Sequence, residues 1–256
     1  MSALRVTVYG ENWHEKNDEK VQKVYPDGMH TVIADGVRST LESLGQEAEV
    51  RIALLDDIDT SLSEEVLENT DVLLWWGHMA HDQVPDDAVE RVVRHVRGGM
   101  GFMPLHSAHF SRPFKTLMGT ECDLLWRNDG EEERVWTVNP SHPITRGVPH
   151  PLIVPAQETY AEWFNIPAPD ELVFVSSYPG GEIFRSGCCF RRGKGKIFYF
   201  SPGDQDYPVY YQKEIQRVLA NGILWAAPEP RPRGLDRVSH IERDWFRDQE
   251  VIDRAF

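Results

Sequence analysis

Four short apolar runs lie in the first half of the chain, and a helical-period segment follows each of them. The runs cover residues 4–9, 47–55, 71–76 and 101–105. After the first, residues 16–23 read as an exposed turn of helix. A longer helix then carries Met29, Val32, Ile33, Val37, Leu41 and Leu44 at helical spacing, and Gly45 stops it. An acidic stretch with a short helix beyond Ser63 follows the second run. Pro85 opens the third helix, whose apolar face is Val89, Val92, Val93 and Val96. Phe114, Leu117 and Met118 mark the fourth, which ends at Gly119. Strands that alternate with helices over short connections require a parallel sheet covered on both faces.

Two of the runs end alike. Trp75-Trp76-Gly77 leads into His78-Met79-Ala80-His81, and Met103-Pro104-Leu105 leads into His106-Ser107-Ala108-His109. Ligands of an open α/β sheet bind outside the carboxyl ends of its strands. Two strands that each deliver a His-x-x-His to one edge therefore mark a candidate site.

The second half changes character. Residues 122–126 and 134–138 read as strands separated by an acidic loop at 128–133. Residues 147–169 form a Pro-rich crossover that carries Gln157, Glu158, Thr159 and Tyr160 and is placed to fold over the strand ends. Residues 172–177, 188–192 and 196–200 read as strands joined by turns at Gly180-Gly181 and Gly193-Lys194-Gly195. A last helix carries Ile215, Val218, Leu219, Ile223 and Leu224. The reading is one α/β domain over residues 1–227, flavodoxin-like and doubly wound, with an antiparallel extension. Residues 228–256 read as an ordered tail in which Trp245, Phe246, Val251, Ile252 and Phe256 anchor on the body or on a second subunit, which leaves a homodimer open.

The bulk properties narrow the function. The 256 residues carry a net charge of −14, which disfavours nucleic acid and anionic membranes as partners. No apolar run reaches the roughly 18 residues of a membrane span. Three cysteines, two of them vicinal, make no disulfide framework and suit a reducing cytoplasm, and no signal peptide precedes the first strand.

The chain resembles the ThuA-like, trehalose-utilisation proteins, whose fold is similar to the class I glutamine amidotransferase domain. The match is carried in order by Gly77-His78, by Gly101 with Leu105-His106-Ser107-Ala108, by His142-Pro143-Ile144-Thr145 with Glu158-Thr159-Tyr160, and by Gly195-Lys196-Ile197-Phe198-Tyr199 with Pro202-Gly203, then Trp225-Ala226. It spans residues 4–227. Glu11, His14 and Glu15, with Tyr25-Pro26 and Gly28-Met29-His30, resemble a bacterial subgroup. The family often has Gly-His after the last sheet strand, where this chain has Gly203-Asp204. The resemblance implies sugar metabolism; the role of that histidine is either lost in this chain or taken by the carboxylates of Asp204 and Asp206.

An amidotransferase needs a thiolate at the elbow. This elbow reads His106-Ser107, so glutaminase chemistry is not expected. Ser107 reads as a helix cap rather than a nucleophile, because the glycines of a nucleophile elbow are missing. With the strand order 2-1-3-4 of this fold, His14, His78 and His106 end neighbouring strands and are placed to hold a divalent ion, expected to be zinc. His106, Glu158 and Asp204 are the candidate catalytic groups. Glu11, Trp13, His81, His109 and Tyr160 are candidate substrate contacts. Two functions stay open: a metal-dependent enzyme acting on a sugar or an oxidised sugar by hydrolysis, isomerisation or elimination, and a non-enzymatic sugar-binding or assembly module.

Overall fold

The computed structural model describes residues 3–229. The anchoring expected of Trp245, Phe246, Val251, Ile252 and Phe256 lies outside them. Within them, nine strands form one sheet: β1 Leu4–Gly10, β2 Ala48–Leu54, β3 Val72–Trp76, β4 Gly101–Leu105, β5 Leu125–Thr137, β6 Leu152–Ala161, β7 Glu171–Ser177, β8 Ile183–Arg192 and β9 Gly195–Phe200. Their order is β2-β1-β3-β4-β9-β8-β7-β5-β6. The first five in that order pair in parallel, with β2-β1-β3-β4 as expected. From β9 outward every pairing is antiparallel.

The parallel half is wound on both faces because its strands are apolar on both faces. Val72, Leu74 and Trp76 pack with Met103 and Leu105 beneath the helices Met29–Ser43 and Lys213–Ala226. Leu73, Trp75 and Phe102 pack on the other side beneath Asp86–Gly98 and Arg112–Met118. Gly195, which opens β9, lets the sheet touch the end of a helix: a Cβ there would meet the Val96 carbonyl oxygen at 2.1 Å.

The antiparallel half differs from expectation in two places. Residues 125–137 form one long strand rather than two short strands around a loop. Neighbours on both sides hold it, β6 and β7, and its register shifts between Arg127 and Glu131 and again between Glu131 and Glu133. The acids fit a strand because Arg127 gathers Asp129, Glu131 and Glu182. Glu158 and Tyr160 lie within β6, not in a crossover loop, with Tyr160 opposite Trp126. No described helix is long and apolar enough to cross a membrane.

Candidate functional site

The site sits at the carboxyl end of β4. There His106 takes a left-handed backbone conformation with φ 49°, which an L-residue adopts at a cost of about 1–2 kcal/mol. This elbow ends the strand and turns the imidazole inward, where it is completely buried. Its Nδ1 donates to the Ser201 carbonyl oxygen at 2.7 Å, just beyond β9. That bond fixes the ring and leaves Nε2 facing two acids. Glu158 Oε2 lies 3.1 Å from Nε2 and Asp204 Oδ2 lies 3.5 Å from it. The Tyr160 hydroxyl is 3.2 Å away, and its ring stacks on the imidazole at 4.6 Å.

Burial alone would lower the His106 pKa, but the facing carboxyl groups of Asp204 and Glu158 outweigh it and raise the value to about 10. The imidazole is therefore an imidazolium at neutral pH. Its neighbours go the other way. Burial lowers His14, takes His81 down to about 4 and takes His109 down to about 3. Burial also holds the Tyr160 hydroxyl well above its ordinary value, so it stays a phenol.

The structure brings His106, Glu158 and Asp204 together but divides the three histidines assigned to a metal. Among the described residues, His106, Glu158 and Asp204 are the one group of three His, Cys, Asp or Glu side chains whose ligand atoms all lie within 4.8 Å of one another. His14 and His78 form a separate pair, with ring centroids 5.2 Å apart, and His78 Nδ1 is 3.0 Å from Gln205 Oε1.

Of the expected substrate contacts, Glu11 is already engaged. Its carboxylate accepts the backbone N–H groups of His78 and Met79 at 2.7 Å and of Ala80 at 3.0 Å, and so folds the loop after β3. His109 is buried, donates Nδ1–H to the Cys122 carbonyl at 2.8 Å and meets Tyr160 edge to face, so it braces the tyrosine instead of reaching solvent. His81 is half-buried and its Nε2 has no partner. Trp13 stands edge-on to His14 at 5.2 Å. Tyr160 reaches the cluster itself. Ser107 is not a helix cap: its Oγ donates to the Gly77 carbonyl at 2.9 Å and ties the β4 elbow to the loop after β3.

Asp204 is held in place by local geometry. Gly203 adopts φ 146°, and a Cβ there would fall 2.0 Å from the Tyr210 hydroxyl, so this turn requires glycine. Asp204 Oδ1 accepts the Asp206 N–H at 2.8 Å, which leaves Oδ2 buried and without a hydrogen bond. A divalent ion fits this set. An orphaned carboxylate oxygen, a second carboxylate and an imidazole whose far nitrogen is fixed by a carbonyl are what such ions take.

Three residues near the site were given no role by the sequence. Gln205 meets His78, Gln157 bonds the Gly203 N–H at 3.0 Å, and Glu133 is wholly buried beside Gln157. Glu133 was hidden in an acidic run that reads as a solvated face. Its period-2 relation to the buried Val135 was the available clue.

Among solved structures, the chain is similar to a ThuA-like protein from Bacteroides uniformis, with 16% identity and a TM-score of 0.62 over 88% of this chain and 92% of that one. A ThuA-like protein from Parabacteroides merdae gives 14% identity and 0.61 over 91% and 94%. A cold-adapted β-galactosidase from Rahnella sp. R3 gives 14% and 0.54 over 86% of this chain but only 31% of its own. These likenesses establish the fold. No curated protein matches the chain. The family model for ThuA, trehalose utilisation, matches residues 5–226, and the chain belongs to that family.

Proposed function

We propose that this protein is an enzyme of carbohydrate metabolism that moves protons on a sugar or an oxidised sugar with His106, Glu158 and Asp204. Family membership supports the carbohydrate role. The observation that carries the enzymatic reading is a buried imidazole whose Nε2 faces two buried carboxyl groups. A site that only holds a sugar has no need for such an arrangement, and strongly perturbed titratable groups cluster at functional sites.

The roles follow from the geometry. His106 Nε2 carries a proton to give, and Ser201 holds Nδ1 so that this proton faces the cluster. Glu158 and Asp204 are the acceptors, so one carboxylate can take a proton while the imidazolium supplies another. Tyr160 excludes water from one side of the ring and offers a neutral hydroxyl to a sugar oxygen. The set serves hydrolysis, isomerisation and elimination alike. A divalent ion would take the place of the Nε2 proton, held by His106 Nε2, Glu158 and Asp204, and in that state it would supply polarisation of a carbonyl or activation of water. Two carboxylates with one imidazole suit zinc and also manganese. Cys122, Cys188 and Cys189 are all buried and unpaired, with thiols that burial pushes up, which supports a cytoplasmic setting and argues against a thiolate nucleophile.

The test is a panel of mono- and disaccharides and their oxidised forms, run with added zinc or manganese on the parent protein and on His106→Ala. Turnover that falls about 10²–10⁴-fold in the variant, with an unchanged melting curve, is the expected result. Sugar binding without turnover in either form, and no metal uptake, would favour the sugar-binding module instead.

A further inference from the structure

The proposed reaction leaves one buried acid unused. Glu133 is fully buried on β5, and its Oε2 accepts a hydrogen bond from Gln157 Nε2. Gln157 Oε1 in turn accepts the Gly203 N–H at 3.0 Å. Glu133 Oε1 has no hydrogen-bond partner, and neither do the hydroxyls of Ser176, Tyr178 and Ser201, which lie near its carboxyl. Burial pushes the carboxyl up to about 7, against the charge of the His106 ring, which lowers it. Burial favours the neutral form of a carboxyl.

The positions of its partners are informative. Ser201 is the residue whose carbonyl holds His106 Nδ1. Gln157 immediately precedes Glu158, and Gly203 immediately precedes Asp204. The carboxyl thus stands one residue behind His106, at Ser201, one behind Glu158, at Gln157, and two behind Asp204, through Gln157 and Gly203. Those three groups come from different elements: the β4 elbow, β6 and the loop after β9. β5 contributes no side chain to the cluster itself.

We propose that Glu133 is the positioning residue of the site, and that its carboxyl, through Gln157 and Ser201, sets how far apart His106, Glu158 and Asp204 stand. This rests on the reading that those three are the working groups. In the neutral form the carboxyl has one oxygen to accept from Gln157 and one O–H to give to the hydroxyls. Glutamine reproduces that pattern, with a carbonyl to accept and an amide N–H to donate. Alanine removes both.

The experiment is nuclear magnetic resonance of the full chain, ¹⁵N-labelled and held at one pH. It follows the His106 Nδ1–H signal, assigned by its loss in His106→Ala, and the backbone amides of Gly203 and Asp204. Glu133→Gln should keep the signals of the parent protein. Glu133→Ala should lose or move the Nδ1–H signal and shift both amides, with at least a tenfold fall in any turnover. Gln157→Met covers the case in which Glu133→Ala does not fold: it should shift Gly203 and Asp204 and leave the His106 signal in place. A folded Glu133→Ala with unmoved signals would overturn the proposal, as would Glu133→Gln behaving like alanine or Gln157→Met leaving both amides unmoved. The expected pattern of signals in a protein that turns over no sugar would sink the enzymatic reading and leave the positioning role standing.

Discussion

The two halves of the sheet are built differently and contribute differently to the site. The parallel half buries both faces of its strands, and its loops present His106 and Asp204 at their carboxyl ends. The antiparallel half contributes from within its strands: Glu158 and Tyr160 on β6, Glu133 on β5. A loop side chain can be aimed freely, whereas a strand side chain is committed to one face by its register. The parallel half therefore supplies groups aimed by the turns that carry them, and the antiparallel half supplies a wall set by register for them to meet. The site exists only where the two halves close on each other.

That comparison can be broken most directly by a double substitution across the boundary. His106→Ala and Glu158→Gln should each reduce turnover by about 10²–10⁴-fold. If the halves form one machine, the double variant should fall no further than the worse single variant. Additive losses in the kinetics would mean that the two groups act separately.

A smaller effect is expected in acid stability. His109 joins the elbow turn of the parallel half to Tyr160 of the antiparallel half. Its unfolded ring takes a proton below about pH 6.5, whereas the folded ring stays neutral down to about 3 because it is buried. Unfolding therefore gains a proton across that window, and stability falls as pH drops, by up to about 1.4 kcal/mol per unit. His81, held down to about 4, adds to the same slope. Denaturant midpoints from pH 7 to 4 should show a shallower decline in His109→Gln. An unchanged slope would assign the acid sensitivity elsewhere.

The smallest effect concerns a tie within the parallel half. Ser107→Ala removes the hydrogen bond to the Gly77 carbonyl and leaves that acceptor buried, at a cost of about 1–3 kcal/mol. Thermal denaturation should register it, while turnover stays within a few-fold because Ser107 touches none of the three reacting groups.

The same contrast explains what could be read from the sequence. Continuous apolar runs such as Val72–Trp76 belong to strands buried on both faces, and the helices between them fix the topology by handedness and short connections. His106 was legible because it ends such a run. Glu158 was legible as a residue but not as part of a strand, since the flanking prolines read as loop. Glu133 was hard to read because Glu131-Glu132-Glu133 has the composition of an exposed turn, and its place on the buried face of Val135 shows only once residues 125–137 are one strand. The three histidines assigned to one ion were placed on neighbouring strand ends correctly, but adjacency of strands does not bring side chains to one point. His106 points toward the antiparallel wall, which the parallel strands alone cannot reveal.

The carboxylate of Glu11 has a consequence of its own. Three successive amide N–H groups converge on it, the geometry with which a protein captures a free anion from solution. Here the anion is covalently attached to the neighbouring strand end, so the loop is born with its ligand already bound. Cutting the carboxylate back, as in Glu11→Ala, should leave an empty receptor of about the size of formate or acetate. Added to the buffer, either ion should restore part of the lost stability in a saturable way, so that a structural residue is converted into a titratable binding equilibrium.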